Sequence, residues 1–510
     1  MYAARRLPPV IGLCHSAAPL GVSARLVEVE VDVRDGKAGV AFAGLPDKAV
    51  REAGDRVKAA LRNSGYEFPY QQRVVVNLAP GDLRKEGSAF DLPIAVALLL
   101  ATRQIRAPRV ADHLLVGELA LDGRIRPVRG ALCMADRAGR AGRWRGILLP
   151  EQNAGEAALA GGLPAYPVAT LADAIRFLAG ATEIRPFPAG GGEPASPPFA
   201  ADFSEVRGQE SALRAAVLAA AGGHNLLLLG PPGSGKTMIA ERIPGILPPL
   251  ARAEAIEATK IHSVAGTLRG AFVAAPPFRS PHHTVSAEGL LGGGPRASPG
   301  EITLAHRGLL FLDELPEFER RSLEGLREPL ERGEVSIVRA GYRVRFPSRF
   351  LLVAAMNPCR CGNHGVPDRE CRCSPREVER YRNRISGPLL DRFDLQVRVP
   401  AVRAADLARG AREGSSSTDL RAAVLEARRV QASRGALNGA LDGRALDLHA
   451  ALERDAESFL ARAAERFGLS ARAHVRIRRL ARTVADLEGS VPVLLRHLQE
   501  AVSYRVRGEG

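Results

Sequence analysis

The sequence has almost no lysine: Lys37, Lys48, Lys58, Lys85, Lys236 and Lys260 are all there is, against 65 arginines. Aromatic residues are also scarce, at 5%, with a single tryptophan. No apolar run approaches the roughly 20 residues needed to cross a bilayer, and Leu92–Ala101 is interrupted by Pro93 and ends before Arg103. Arg5 and Arg6 are followed by no apolar segment with a cleavage site, so no secretory signal is expected. Six cysteines are too few for a disulfide framework. These absences exclude membrane-spanning and disulfide-stapled classes and lead us to expect a cytoplasmic protein.

What is present is ordinary globular material, 46% hydrophobic and 25% charged over 510 residues. That length exceeds one hydrophobic core and implies about three domains. The net charge of +15 suits a polyanionic partner. A GC-rich genome that raises arginine everywhere accounts for it equally well, so charge alone decides nothing.

The chain divides by composition. From Val22 to about Gly180, strand-like runs (Val27–Val33, Arg73–Leu78, Leu114–Leu119) mix with helical ones (Asp47–Ser64, Phe90–Ala101), an α+β pattern. Pro186–Pro198 is dense in proline and glycine and reads as a linker. Beyond it the apolar runs Asn225–Leu229, Gly308–Leu312 and Phe350–Ala355 each precede a polar turn, which predicts a parallel α/β sheet. The Ser-rich stretch Gly410–Asp419 reads as a second linker, after which the chain is helical to Arg507. The expected domains are therefore 1–180 (with its core over about 22–143), a linker at 181–203, an α/β domain over 204–400 and a helical domain over 411–507.

Gly230-Pro-Pro-Gly-Ser-Gly-Lys-Thr237 follows the strand Leu226–Leu229 and opens a helix at Met238. This is the pattern of a P-loop, in which Gly230, Pro231, Pro232, Gly233, Ser234 and Gly235 bring backbone N–H groups onto phosphate oxygens at a helix N-terminus. Lys236 then reaches the β/γ-phosphates of ATP and Thr237 offers its hydroxyl to Mg2+. The second half of such a site is an apolar strand ending in acids, and Gly308–Glu314 has that form. Asp313 orients the metal through its water shell and Glu314 polarises the attacking water. Together they predict an ATPase.

Five segments carry a more specific likeness: Phe278–Thr284, Pro299–Ile302, Phe311–Phe318, Ala354–Pro358 and Gly387–Asp394. With them, nearly the whole chain resembles the ComM/YifB family of magnesium-chelatase-like AAA+ ATPases. The resemblance implies a P-loop AAA+ core, an N-terminal α+β domain like that of Lon-type proteases (ribosomal S5 domain 2-like), and a C-terminal helical domain. It also implies Asn357 as sensor 1, Arg392 as an arginine finger acting on a neighbour's ATP, and Arg472 as sensor 2. A finger acting in trans needs a head-to-tail interface, which closes into a ring; a homo-hexamer is the family expectation. In the N-terminal domain, Arg84–Asp91 and Gly123–Gly130 carry the Lon likeness, but Ala89 stands at the serine position, with Ser88 only adjacent, and Leu132 where the lysine should be. A Ser–Lys protease needs both, so a binding or assembly scaffold is expected instead.

Two further features stand apart from the ATPase core. Cys359-Arg-Cys361 and Cys371-Arg-Cys373 form paired C-x-C motifs whose four thiolates suit tetrahedral Zn2+, with His364 as an alternative ligand; free thiols on a loop are the other reading. Gly333–Phe346 alternates around a Gly-containing turn and reads as a β-hairpin with Arg339, Arg343 and Arg345 near its tip. In related ring ATPases such a hairpin enters the pore, where basic tips track a phosphate backbone; a solvated edge hairpin is the alternative.

Three functions compete. The first is an ATP-driven motor on branched or single-stranded DNA, resembling helicases that promote branch migration in natural transformation, with recombination proteins as partners. The second is a chelatase-type motor that remodels a protein partner for metal insertion; subunits of that type are expected to lack the Lon-like N-terminal domain. The third is a nucleotide-binding scaffold without turnover.

Overall fold

The computed structural model describes residues 11–190, 201–295, 297–339, 342–367, 369–401 and 415–505, with the side chains of Arg339 and Tyr342 outside that description. In the N-terminal segment seven strands form one mixed sheet, in the order Gly39–Ala43, Arg73–Ala79, Ser23–Arg34, Gly12–Leu20, His113–Leu115, Gly146–Pro150, Ala165–Val168. Val74, Val76 and Leu78 alternate inward along one strand, as a half-buried strand requires. The helix Asp91–Ala101 is apolar on all sides and is correspondingly buried from Asp91 to Leu99. It passes so close to the first strand that a Cβ on Gly12 would stand 1.8 Å from the Ala97 carbonyl oxygen.

Two expected elements are broken. The strand expected over Leu114–Leu119 splits into His113–Leu115 and Glu118–Leu119, because the Val116 and Gly117 N–H groups turn to Leu148 and Ala89 carbonyls. The helix expected over Asp47–Ser64 is two, Lys48–Arg51 and Ala53–Asn63, meeting at Glu52. There the Asp55 N–H reaches back only three residues, to the Glu52 carbonyl.

The central segment holds a five-stranded sheet in the order Phe278–Arg279, Leu309–Leu312, Leu351–Met356, Leu226–Leu229, Leu395–Arg398. Every pairing in it is parallel. The three strands expected from the sequence are present, each beginning one residue later than its apolar run. The outer strands were not expected, being two residues long at one edge and mixed in polarity at the other. A single apolar core joins this sheet to the C-terminal helices, from Phe203 to Tyr504.

Residues 415–505 contain helices and no named strand among those described. The expected linker Gly410–Asp419 extends too far: 410–414 lie outside the described residues, and Ser416 already caps the helix Ser417–Ser433, its Oγ accepting from the Asp419 N–H at 3.1 Å. Of Pro186–Pro198, residues 191–198 lie outside the description, while the Phe187 N–H bonds to the Ala165 carbonyl at 2.7 Å and so stays with the N-terminal sheet.

The N-terminal and central segments are docked through specific contacts. Lys260 Nζ meets Asp136 Oδ2 at 2.8 Å, with both side chains mostly buried, and the Gly130 N–H bonds to the Ser263 carbonyl. Leu20 and Val22 pack on Ile337, Val344 and Phe346 of the hairpin formed by Glu334–Arg339 and Tyr342–Pro347. The hairpin therefore buries one face against the N-terminal segment.

The C-terminal helices are held by a buried charge cluster. Asp486 accepts bidentate bonds from Arg434 (2.8 and 2.8 Å), one from Arg482 (3.1 Å) and one from Asn438 (2.7 Å). Removing one partner of such a cluster strands buried charge, which costs about 3–5 kcal/mol. Asp486→Ala should therefore lower the urea midpoint of the C-terminal segment sharply, and Asp486→Asn should fall between it and wild type.

Candidate active site at the end of the parallel sheet

Parallel register decides what stands together. Leu229 is opposite Met356, and Leu312 opposite Ala354, so Gly230, Asn357 and Asp313 emerge at one edge of the sheet. Gly230 is needed for space, since a Cβ there would lie 2.2 Å from the Val399 carbonyl oxygen. Gly233 and Gly235 have φ of +77° and +87°, a region that glycine enters without strain. Gln209, buried, braces the loop by donating to the carbonyls of Ser234 (3.3 Å) and Pro400 (2.7 Å). Ser234 is buried, Pro231 and Pro232 carry the turn, and Met238 projects outward in the first turn of the helix Lys236–Ile246.

Lys236 is 8% exposed. Its Nζ donates to the carbonyls of Gly230 and Pro231, both at 2.8 Å, and to Asn357 Oδ1 at 3.2 Å. Burial pushes the ammonium below the ordinary lysine value, while the carboxylates of Asp313 and Glu314 act the other way. The cation is thus held by weak neutral acceptors at the mouth of the loop, a suitable state for a group that is to receive phosphate oxygens.

Thr237 Oγ1 donates to Asp313 Oδ2 at 2.7 Å, and the other Asp313 oxygen accepts the Glu314 N–H at 2.8 Å. A hydroxyl and a carboxylate stand side by side, the all-oxygen donor set that suits Mg2+. When bound there, the ion would neutralise phosphate charge. Glu314 adopts φ +51°, uncommon for a residue with a side chain, and its Oε2 lies 3.1 Å from His283 Nδ1. His283 lies in the segment Phe278–Thr284, whose pattern carries the family likeness and by itself gives the histidine no role.

Arg392 is not in this cluster. It is 4% exposed, pairs with Glu331 and donates to the Pro388 carbonyl at 3.0 Å. Its own carbonyl accepts from Asn225 Nδ2, one residue before the strand Leu226–Leu229. Arg392 is therefore anchored at the end of the sheet remote from its own P-loop. Arg472 is exposed in the first turn of the helix Ala471–Leu487. One turn on, Arg476 makes one of the ties to the central segment, at 2.9 Å from Asp394 Oδ1, a contact that the sequence did not reveal.

The cysteine loop continues directly from Asn357. Cys359 Sγ is 3.4 Å from Cys361 and 3.7 Å from Cys371, and Cys361 and Cys371 are 3.6 Å apart. All four sulfurs, with Cys373, lie within 4.8 Å of one another. A tetrahedron of sulfurs about 2.3 Å from zinc has edges of about 3.8 Å, so the arrangement fits the metal. His364 contributes its backbone N–H to Cys359 Sγ at 3.3 Å, and its ring is not part of the cluster. The loop touches the P-loop: a Cβ on Gly362 would sit 2.4 Å from Pro232 Cδ.

The hairpin pairs Arg339 with Tyr342, Val338 with Arg343 and Ser336 with Arg345. Arg343 and Arg345 are exposed on the face opposite Val344 and Phe346. Arg345 sits mid-strand, 3.8 Å from Glu334, so only Arg339 and Arg343 are close to the turn; residues 340–341 lie outside the description.

Two predictions follow from this geometry. Lys236→Ala should abolish binding of a fluorescent ATP analogue, whereas Glu314→Gln should retain binding and turn over about 10²–10⁴-fold more slowly, the usual size of a general-base contribution. Metal analysis of protein from zinc-replete medium should find close to one zinc per chain, lost in the Cys359→Ser/Cys371→Ser double variant, because four soft ligands at tetrahedral spacing select zinc.

Comparison with known proteins agrees along the chain. Residues 29–153, 202–407 and 414–505 match family models described respectively as subunit ChlI of Mg-chelatase, magnesium chelatase subunit ChlI, and magnesium chelatase subunit ChlI C-terminal. The YifB protein of Salmonella typhimurium strain LT2 is 45% identical over 499 residues, 97% of each chain. Competence protein ComM of Haemophilus influenzae is 43% identical over 504 residues, again 97% of each. The magnesium-chelatase 38 kDa subunit of Rhodobacter capsulatus is 28% identical over 337 residues, 60% of this chain and 87% of that one. Full-length identity at this level, with the P-loop and its acidic partner strand in register, shows that the chain belongs to the ComM/YifB family of magnesium-chelatase-like proteins.

Proposed function

We propose that the protein is a cytoplasmic ATP-hydrolysing motor that acts on DNA as a homo-hexameric ring, in branch migration or a related step of natural transformation or recombination. The observation that carries this reading is the convergence of Lys236, Thr237, Asp313 and Asn357 at one edge of a parallel sheet, on a chain alike end to end with a competence protein. Lys236 binds phosphate, Asp313 and Thr237 hold Mg2+, Asn357 and Glu314 position the water, and zinc fastens the cysteine loop. Arg392, remote from its own P-loop, acts at a neighbour's site after giving up Glu331, and Arg472 serves as sensor 2 from the C-terminal helices.

DNA is the chosen substrate because the hairpin presents Arg343 and Arg345 on its free face while its apolar face is fixed to the N-terminal segment. The N-terminal segment, a Lon-like domain in this reading, has Ala89 and Leu132 buried where a serine and a lysine would be needed, and it acts as scaffold without peptidase activity. A chelatase-type motor is the second reading. The family match of residues 29–153 removes the N-terminal segment as an argument against it. The share of the chain covered still favours the first: 60% for the chelatase subunit against 97% for ComM.

Arg339→Ala/Arg343→Ala/Arg345→Ala should weaken binding to branched DNA and flatten its log–log salt dependence by about 2–3, since each lost phosphate contact removes about 0.9 from the slope. Its ATPase rate without DNA should persist. Arg392→Ala should bind ATP yet lose about 10³–10⁵ in turnover, and mixing it with Glu314→Gln subunits should restore part of the activity. A hairpin variant that migrates branched DNA normally, or stimulation by a tetrapyrrole-carrying partner and not by DNA, would sink the reading.

A further inference from the structure

The joint between the N-terminal and central segments leaves a cavity of about 910 Å³ that takes no part in the nucleotide chemistry assigned above. Ligand sites have this size, about 300–1,000 Å³, and favour such joints. Close approaches border it on two sides. At one, a Cβ on Gly21 would stand 2.6 Å from Val344 Cγ1 of the hairpin. At the other, a Cβ on Gly130 would stand 2.9 Å from Pro19 Cβ and 3.4 Å from Val264 Cγ2.

The lining combines apolar surface with unmatched positive charge. Leu20, Leu83, Val128 and Val264 are half-buried and form the apolar part. Arg25, Arg51 and Arg129 are exposed, and none of them has a carboxylate in ion-pair range among the described residues. Arg129 rests instead against the chain after the helix Arg252–Ala265, where a Cβ on Gly266 would stand 2.6 Å from its Nε. The acids of the same wall are already engaged. Glu86 lies 3.3 Å from Arg84, and Glu118 lies 3.7 Å from Arg126 and accepts from Ser88 Oγ. Asp82 favours the charged form of the buried Lys85. The free arginines come from three elements: Arg25 from the strand Ser23–Arg34, Arg51 from the end of the helix Lys48–Arg51, and Arg129 from the loop ahead of the helix Ala131–Ala141.

Leu45 belongs to the same lining, is 56% exposed and has φ +54°, a conformation uncommon for a residue with a side chain. Two backbone bonds hold it there: the Lys85 N–H donates to the Leu45 carbonyl at 3.1 Å, and the Asp47 N–H donates to the Lys85 carbonyl at 2.9 Å. Strain of this kind clusters at ligand clamps and other working positions. The fold thus keeps a large apolar side chain in solvent beside arginines that lack acids.

An extended anion that also carries apolar side chains matches this lining. A polynucleotide does not, because its bases need exposed ring faces to stack on, and Phe346, the aromatic residue of the lining, is 1% exposed. The three acids would also face its phosphates. We infer that the cavity is the docking site for an acidic peptide segment of a partner protein. Its carboxylates pair with Arg25, Arg51 and Arg129, whose planar guanidinium groups suit them, and its apolar side chains enter between Leu45 and the surface formed by Leu20, Leu83, Val128 and Val264. Val344 and Phe346 of the hairpin close one wall, so a partner seated there is held beside the strand that carries Arg343 and Arg345.

The test is fluorescence anisotropy of the full chain with a fluorescein-labelled peptide of alternating glutamate and leucine. Neither ATP nor DNA is present, so the outcome is independent of the motor reading. Wild type should bind this peptide and should bind glutamine–leucine and lysine–leucine versions about ten-fold more weakly or worse. Arg25→Ala/Arg51→Ala should weaken binding about 100-fold, and Arg129→Ala about ten-fold, at about ten-fold for each charge-assisted pair. These side chains are exposed and lack acid partners, so the variants should keep the wild-type urea midpoint. Arg454→Ala/Arg462→Ala removes the same charge from the exposed face of the helix Arg454–Phe467 and should change binding by less than about two-fold, distant charges being screened. A photoreactive version of the peptide should cross-link to residues 19–25, 45–51 and 82–89. No binding at millimolar peptide, equal losses in the two double variants, or cross-links outside the cavity overturns the inference. So does a single-stranded oligonucleotide whose affinity falls in Arg25→Ala/Arg51→Ala as far as that of the peptide, which assigns these arginines to nucleic acid.

Discussion

Register between three short parallel strands is the constraint on which the site depends. Each of Leu226–Leu229, Leu309–Leu312 and Leu351–Met356 is buried over nearly its whole length, so none can slip by one residue without turning its polar successor into the core. With Leu229 level with Met356 and Leu312 level with Ala354, Lys236 meets Asn357 and Thr237 meets Asp313 without any long-range loop having to find its place. The chemistry is local to the sheet edge because the sheet is apolar up to that edge. Side-chain bonds at the other end, such as Asn225 Oδ1 accepting the Leu352 N–H at 3.0 Å, keep the strands aligned there too.

Charges away from this edge are handled in two ways. Those that hold segments together are buried and fully paired, as with Asp486 between Arg434 and Arg482, or Asp394 against Arg476. Those with a proposed task are held less completely. Lys236 has neutral acceptors and a carboxamide, and Arg392, though buried, is paired with a Glu331 side chain that is 54% exposed and leaves its Nε without a partner. A pair with one solvated member is cheap to exchange compared with a sealed one. The difference separates arginines that build the fold from the one to which the proposed function gives a second partner, within a chain where arginine is everywhere.

Legibility in the sequence followed the range of the interactions. The P-loop, the acidic strand end and the strand before Asn357 were readable because each is a local pattern: an apolar run, then glycines or acids, within about ten residues. Their strands begin a residue late because the entry residues, Asn225, Gly308 and Phe350, precede the first paired residue of the ladder, Gly308 in a bend. The hairpin was visible from its alternation, but not that Leu20 and Val22 cover its apolar face, since nothing near Gly333 signals a partner three hundred residues away. His283 was hidden for the same reason. Its contact with Glu314 spans two strands that pair over only two residues, and a two-residue strand leaves no periodicity to detect. Arg392 carried a strong family likeness and no local sign of its pairing with Glu331.

The cysteine loop shows how one local pattern depends on another. Asn357 leaves the sheet at a fixed place, and Ser374 caps the helix Pro375–Arg382 with its Oγ accepting the Glu377 N–H. Between them the described residues contain no helix or strand, a long stretch to leave without structure of its own in a compact domain. Four thiols drawn within 4.8 Å stand where a bound metal would supply the missing cross-link, and the close contact of Gly362 with Pro232 places the loop against the P-loop. Such a loop cannot be loosened in isolation, because its first residue is level with Gly230 and its middle rests on Pro232. Whatever gathers the sulfurs therefore also bears on how the P-loop is walled, so the cysteine loop and the proposed nucleotide site share one packing constraint.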